Sequence, residues 1–213
     1  MVRYARLHGY FALRDRLAPR ARAARMHRMQ ALLSLRPGDR VVDLGGTTSI
    51  WQWIDVPLDV TILNLPGTRM REGARGPHRF RFVEGDATCA RDLADGSFDL
   101  AFSNSCIEHV GGPEKRAAFA AEIRRLAPRW YVQTPSILFP LEPHTGLPFW
   151  WFYPPPLKRA FVRGWRRSVP AWCEMIEGTT VILRRELESL FPDGAIAVER
   201  VLGVPKSLIA YKA

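Results

Sequence analysis

The stretch "VVDLGGTTSI", residues 41–50, decides how this chain reads. Val41 and Val42 open a short apolar run that closes on Asp43-Leu44-Gly45-Gly46. A run of that length ended by glycines is a buried strand passing into a tight turn. In an open parallel sheet such turns stand at the carboxyl ends of the strands, where ligands are held. A dinucleotide fingerprint would continue with two more glycines, but Thr47 and Ser49 stand there instead. The turn alone does not say what it holds, so the rest of the chain has to decide.

Upstream, residues 20–35 place Met26, Met29 and Leu33 on one helical face and arginines largely on the other, and Pro37-Gly38 ends that helix. Downstream, "VTILNL" (60–65), "FRFVEGD" (80–86), "FDLAFSNS" (98–105) and "WYVQTP" (130–135) are further strands, with alternation at Phe80 and Phe82 in the second of them. Between the last two lies "GGPEKRAAFAAEIRRLAP", a helix with proline near its start and Phe119, Ile123 and Leu126 at helical spacing. Strands alternating with helices imply a doubly wound, mostly parallel sheet. The tail breaks the rhythm. "LRRELESLF" (183–191) is a helix with Leu183, Leu187 and Leu190 aligned, and "AIAVERV" and "SLIAYKA" are strands joined only by "LGVPK". A parallel crossover needs a dozen or more residues, so this pair is an antiparallel hairpin. The expectation is an α/β chain with a seven-stranded, Rossmann-like sheet ending in that hairpin.

Composition bounds the function. The 213 residues, 47% apolar, suit one domain with a full core. We expect residues 1–213 to be that domain, with 1–36 as an N-terminal helical cap. Residues 135–178 are expected as an aromatic and proline-rich insertion over the active site, because they follow the fifth strand at its ligand-binding edge. Three scattered cysteines lack metal spacing and a disulfide framework, no signal core opens the chain, and no apolar run reaches membrane-spanning length. A reducing cytoplasm is the expectation, with no metal. The net charge of +10 invites nucleic acid, but the basic residues are nearly all arginine, dispersed along an alanine-rich chain, although 14–28 is dense in them. His8, His27 and His78, in the basic N-terminal region or a loop, read as solvated.

These motifs together resemble the class I S-adenosylmethionine-dependent methyltransferases, most closely the small bacterial branch described as methyltransferase type 11. The likeness runs through roughly residues 38–135 and returns in the terminal hairpin. "SNSCIEHV" (103–110) is similar to the family's segment after strand four, where a Glu-His pair is frequent; "VVDLGG" matches its first motif and "FVEGDA" its third-strand motif. The resemblance implies S-adenosylmethionine as cofactor. Asp43 would support its methionine end through the glycine turn, and Gly45 and Gly46 would let the backbone approach. Asn64 would meet the ribose hydroxyls in place of the usual acidic residue, so Asn64→Asp should be tolerated or improve affinity. Leu65 would lie against adenine, Asp86 would accept from its amino group beside Ala87, and Asn104 and Ser105 would pass beneath the sulfonium. This cofactor has no phosphate and presents a zwitterionic amino acid, which explains why the turn tolerates Thr47 and Ser49.

Methyl transfer from a sulfonium is an in-line displacement on an activated electrophile, and a hydroxyl or protonated amine acceptor must also lose a proton. A histidine suits that task near neutral pH. His144, in "LEPHTG" with Glu142 to orient it, is the expected base, and His109 is second; Glu108 and His109 equally read as a helix cap or salt bridge. Phe139, Trp150, Trp151 and Tyr153, with Phe149 and Phe152, would form an aromatic surface for a hydrophobic or aromatic small molecule. The expected reaction is O-methylation. The runner-up substrate is RNA, a non-catalytic cofactor-binding protein is the alternative from another class, and aromatics beside arginines also suit peripheral membrane contact. The oligomeric state stays open.

Overall fold

A computed structural model describes residues 19–68 and 76–213. His8 and the first half of the expected N-terminal cap lie outside those residues. A helix, α1, covers described residues 19–32. It is followed by β1 (Arg40–Leu44), the one-turn helix α2 (Thr48–Trp51), β2 (Asp59–Asn64), β3 (Arg79–Glu84) and β4 (Leu100–Asn104). Then come α3 (Pro113–Leu126), β5 (Arg129–Pro135), α4 (Pro155–Arg166), α5 (Pro170–Gly178), α6 (Arg184–Leu190), β6 (Ala195–Val201) and β7 (Val204–Lys212).

The strands make one sheet in the order β3-β2-β1-β4-β5-β7-β6. All neighbours are parallel except β7, which runs antiparallel to both β5 and β6. The hairpin turn is tight because Leu202 and Gly203 both take positive φ, 50° and 81°, a pairing that matches the twist of the strands it joins. Strand order reverses between β1 and β4, so a crevice opens there beyond the carboxyl ends.

Alternation along the strands feeds two cores. Val42, Ala101, Trp130 and Val132 pack with Phe119, Ile123, Leu187 and Phe191 on the α3 and α6 side. Val41, Leu100, Phe102 and Tyr131 pack with Met26, Met29, Leu33 and Trp51 on the α1 and α2 side. The predicted faces of α1 and α3 are therefore the buried ones. Two smaller expectations fail. Leu183 sits at the N-cap of α6 and is exposed, because the helix starts one residue later than the leucine spacing suggests. Phe82 is exposed on β3, an edge strand with a neighbour on one side only.

The segment that reads as aperiodic ends in two helices. α4 and α5 each begin on a proline, which is tolerated in a first turn where the amide has no helical partner. Before them, residues 136–149 are turns pinned by a bridge between Leu141 and Pro148. No helix among the described residues is long and apolar enough to cross a membrane.

Many arginines are consumed inside the fold. Arg25 and Arg116 are buried, and Arg129 reaches Asp39 and the Leu33 carbonyl. The charge that invites nucleic acid is thus partly structural.

Candidate active site

Gly45 and Gly46 carry the turn after β1, and each is glycine for a steric reason. Gly45 has φ +76°, and a Cβ there would lie 2.3 Å from the Cys106 Sγ after β4. A Cβ on Gly46 would lie 1.9 Å from the carboxyl carbon of Asp43. The turn therefore lies directly on the Asp43 carboxylate and closes against the β4 loop at the point where strand order reverses. Asp43 is fully buried; its Oδ2 accepts from the Trp51 indole at 2.9 Å, and Oδ1 has no partner. Burial pushes its pKa up to about 7, against the opposing pull of the Trp51 hydrogen bond. Such an orphaned acceptor beneath a bare glycine turn suits a ligand with a cationic amine. α2 has only four residues, too short to hold a pyrophosphate by its end.

The other predicted cofactor residues converge on the same edge. Asn64, last in β2, donates from Nδ2 to the Gly46 carbonyl at 3.0 Å. Leu65 beside it is 59% exposed, an apolar face open at the rim. Asp86 takes both Thr88 donors, the backbone amide and the hydroxyl, on Oδ1, and the Thr88 amide is the main cause holding its pKa low. Ala87 is buried. Asn104, last in β4, accepts from Arg25 at 2.6 Å. Ser105 has a positive φ of 55°, a conformation uncommon outside glycine, and donates to the Gln133 side chain at 3.0 Å.

A second group stands on the acceptor side. Ile107–His109 form a 3-10 turn after β4. The Nε2 atoms of His109 and His144 face one another at 3.1 Å with the rings edge to face. The Nδ1 of His144 meets Glu142 Oε1 at 2.7 Å, and Glu142 Oε2 takes the amides of His144 and Thr145. Burial alone would lower His144, but its bond to Glu142 and the charges of Glu142 and Glu108 hold it above its ordinary value. Burial, with the neighbouring His144, drops His109 to about 4. Glu108 is neither a solvated cap nor a salt-bridge partner. It is 1% exposed, bonds through Oε2 to Thr134, leaves Oε1 unpartnered, and is pushed by burial up to about 7.

The aromatic segment divides. Trp151 lines a small cavity with Glu108, Glu142 and His144. Trp150, expected against substrate, is buried among Tyr153, Phe161 and Trp165 and so supports α4 instead. Phe139 is half-buried, while Phe149 and Phe152 are exposed. His78 is half-buried and bonds to the Trp51 carbonyl, so it is structural rather than solvated. A larger cavity, lined by His27, Gln30 and Asp55, lies at the opposite end of the strands from this chemistry. Sequence reading missed Trp51, Arg25, Thr134 and Thr179, whose roles are contacts across the fold with no local motif.

Residues 46–129 match the family described as methyltransferase domain. The match begins in the glycine turn after β1 and runs through β2, β3, β4 and α3 to the first residue of β5. That stretch is similar to a methyltransferase domain. No curated protein matches it in sequence. Among solved structures, this chain is similar in fold to 1,6-didemethyltoxoflavin-N1-methyltransferase of Burkholderia thailandensis. The two are 17% identical with a TM-score of 0.53, over 99% of this chain and 85% of that one. A methyltransferase described as from an antibiotic biosynthesis pathway of Anabaena variabilis follows at 16% and 0.51, over 81% and 63%. A Rhodobacter sphaeroides protein described as a zinc-dependent alcohol dehydrogenase gives 12% and 0.52, over 86% and 87%. At these identities the likeness is one of fold. The buried Asp43 acceptor, the two glycines and the Asp86 rim fit S-adenosylmethionine, the cofactor that the sequence resemblance implies.

Proposed function

We propose that this chain transfers the methyl group of S-adenosylmethionine to a hydroxyl of a hydrophobic, aromatic small molecule. The observation that carries the reading is the group of buried Glu108 and half-buried His109 and His144, set between the end of β4 and Trp151. A neutral amine nitrogen can attack first and lose its proton afterwards to solvent, whereas a hydroxyl must shed its proton before or during attack.

When bound, the cofactor supplies an electrophilic methyl on sulfur. The chain supplies position. The Asp43-supported turn would receive the amino-acid end, Asn64 and Leu65 would take the ribose and adenine, Asp86 would accept from the adenine amine, and Asn104 and Ser105 would line the sulfonium end. Alignment of this kind is worth up to ~7–11 kcal/mol in well-oriented systems. Residues 135–178 act as the cap over the acceptor. They contribute Glu142 and His144, and the Trp172 indole donates to the His144 carbonyl at 3.1 Å. Phe139, Trp151 and Tyr153 provide the apolar wall, with Trp150 bracing it from behind. The proton of the acceptor is handled at the Glu108, His109 and His144 group.

The test is turnover of S-adenosylmethionine against matched phenols, anilines and aliphatic alcohols, with products read by mass spectrometry for a gained CH₂ and for the atom that carries it. Methylation of phenols or hydrophobic alcohols is expected. Methylation of the anilines alone would sink the oxygen assignment, and a preference for RNA over every small molecule would sink the substrate class.

A further inference from the structure

Two hydrogen bonds fix the tautomers of the facing histidines. Thr179 spends its only hydroxyl proton on the Met175 carbonyl at 2.7 Å, so toward His109 Nδ1, 3.2 Å away, it can only accept. His109 therefore carries its proton on Nδ1 and shows a lone pair on Nε2. Glu142 Oε2 takes two backbone amides, and Oε1 takes the Nδ1 proton of His144. His144 thus also turns Nε2 toward the gap, and the two Nε2 atoms stand 3.1 Å apart. Two lone pairs at that distance repel unless a positive charge lies between them.

Three observations say which charge. The spacing is close to the ~3.3 Å expected for two imidazole nitrogens on one tetrahedral ion at ~2.0–2.1 Å each. Both rings have their other nitrogen held by an oxygen partner, Glu142 for His144 and Thr179 for His109, the support that metal-bound histidines ordinarily have. A third donor is at hand: Glu108 is 1% exposed with an unpartnered Oε1, and ligand atoms of Glu108, His109 and His144 all lie within 4.8 Å of one another. A proton between the rings would leave that buried oxygen unexplained.

We propose that Glu108, His109 and His144 form a binding site for a divalent transition-metal ion of the zinc class. Two imidazoles and a carboxylate suit that class over magnesium or calcium, which prefer oxygen alone. The donors come from both sides of the fold, Glu108 and His109 after β4 and His144 from the segment before α4, so the ion also ties the cap to the sheet. The cavity bounded by Glu108, His144 and Trp151 leaves room for about one water-sized ligand, a fourth position for an acceptor oxygen. A hydroxyl coordinated there is acidified, its proton passing to solvent, and the oxygen meets the methyl group as an anion. That use of the ion rests on the oxygen-methylation reading above; the binding itself does not.

The experiment is calorimetry on the full chain, stripped with chelator and titrated with Zn²⁺ alone, then with Co²⁺ alone while visible absorption is recorded. A single ion per chain is expected, with the intense visible bands of four-coordinate cobalt. His109→Ala, His144→Ala and Glu108→Gln should each weaken Zn²⁺ binding at least about tenfold, and Thr179→Val, which removes only the support of His109, should weaken it by roughly 10–100-fold. Each variant is also titrated with S-adenosylhomocysteine, whose binding should persist and so reports an intact fold. If the alanine variants unfold, Thr179→Val and Glu108→Gln decide. Absence of Zn²⁺ binding by the wild type, or binding indifferent to these substitutions, overturns the site. Zn²⁺ binding without S-adenosylhomocysteine binding would support the site and count against the methyltransferase reading.

Discussion

Asn64 and Gly46 are joined by a hydrogen bond, the Asn64 amide donating to the Gly46 carbonyl at 3.0 Å across the ends of β2 and β1. This bond reverses what the family resemblance suggests for Asn64. A carboxylate cannot donate, so Asn64→Asp faces the Gly46 carbonyl with like charge and frees the turn that lies on Asp43. A lost bond of this kind costs about 1 kcal/mol or more, and S-adenosylhomocysteine affinity should fall roughly fivefold or more by calorimetry. Tighter binding in Asn64→Asp would mean that the ribose contact outweighs support of the turn.

Gly46→Ala has no room for its methyl group, which would fall onto the carboxyl of Asp43 rather than on a side chain free to move. Overpacking of this sort costs ~2–3 kcal/mol, so the melting temperature should drop and S-adenosylhomocysteine binding should be lost. Gly112→Ala, where nothing lies within 4 Å and φ is −69°, is the control and should melt like the wild type. Equal tolerance of both substitutions would show that the turn is looser than its geometry.

Arg25 ties α1 to the cofactor edge. It bonds Glu199 at 2.6 Å inside the protein and also reaches Asn104 and Gln133. Removing one partner of a buried pair strands the other, so Arg25→Met should cost ~3–5 kcal/mol in urea unfolding. The double variant Arg25→Met with Glu199→Leu should recover most of that loss. Since Asn104 loses its anchor in both, cofactor affinity should stay reduced even where stability returns. Full recovery of both would confine Arg25 to a structural role.

Asp43 makes stability depend on pH in a direction opposite to that of most carboxylates. Its folded pKa, pushed by burial up to about 7, lies above the ~3.9 of an unfolded aspartate. Between those values the folded chain holds a proton that the unfolded chain has released. Its contribution is thus fully present below about pH 4 and is lost as pH rises through about 7. The whole window is worth up to about 4 kcal/mol. Unfolding free energies measured from pH 5 to pH 8 should fall more steeply for the wild type than for Asp43→Asn, in which the group cannot titrate. Parallel slopes would place the charge of Asp43 outside this balance.

The sequence by itself determined the sheet and the list of chemical groups. Valine and phenylalanine runs, the glycines at 45 and 46, the proline at 113 and the short link at 202–206 specify strands, turn, helix start and hairpin through interactions between near neighbours in the chain. His109, His144, Glu142, Asp43 and Asn64 are visible because motif position and residue type point to them. Tertiary structure alone decided what those groups do to one another. Nothing local brings His144 within 3.1 Å of His109, or sets Thr179 against one ring and Glu142 against the other. Nothing local turns Trp51 onto Asp43, or Asn64 back onto Gly46. Burial, which moves Asp43 and Glu108 up to about 7 and His109 down to about 4, is likewise a property of the packed whole. It depends on how much water the rest of the fold removes from each group, a quantity set by residues distant in the chain.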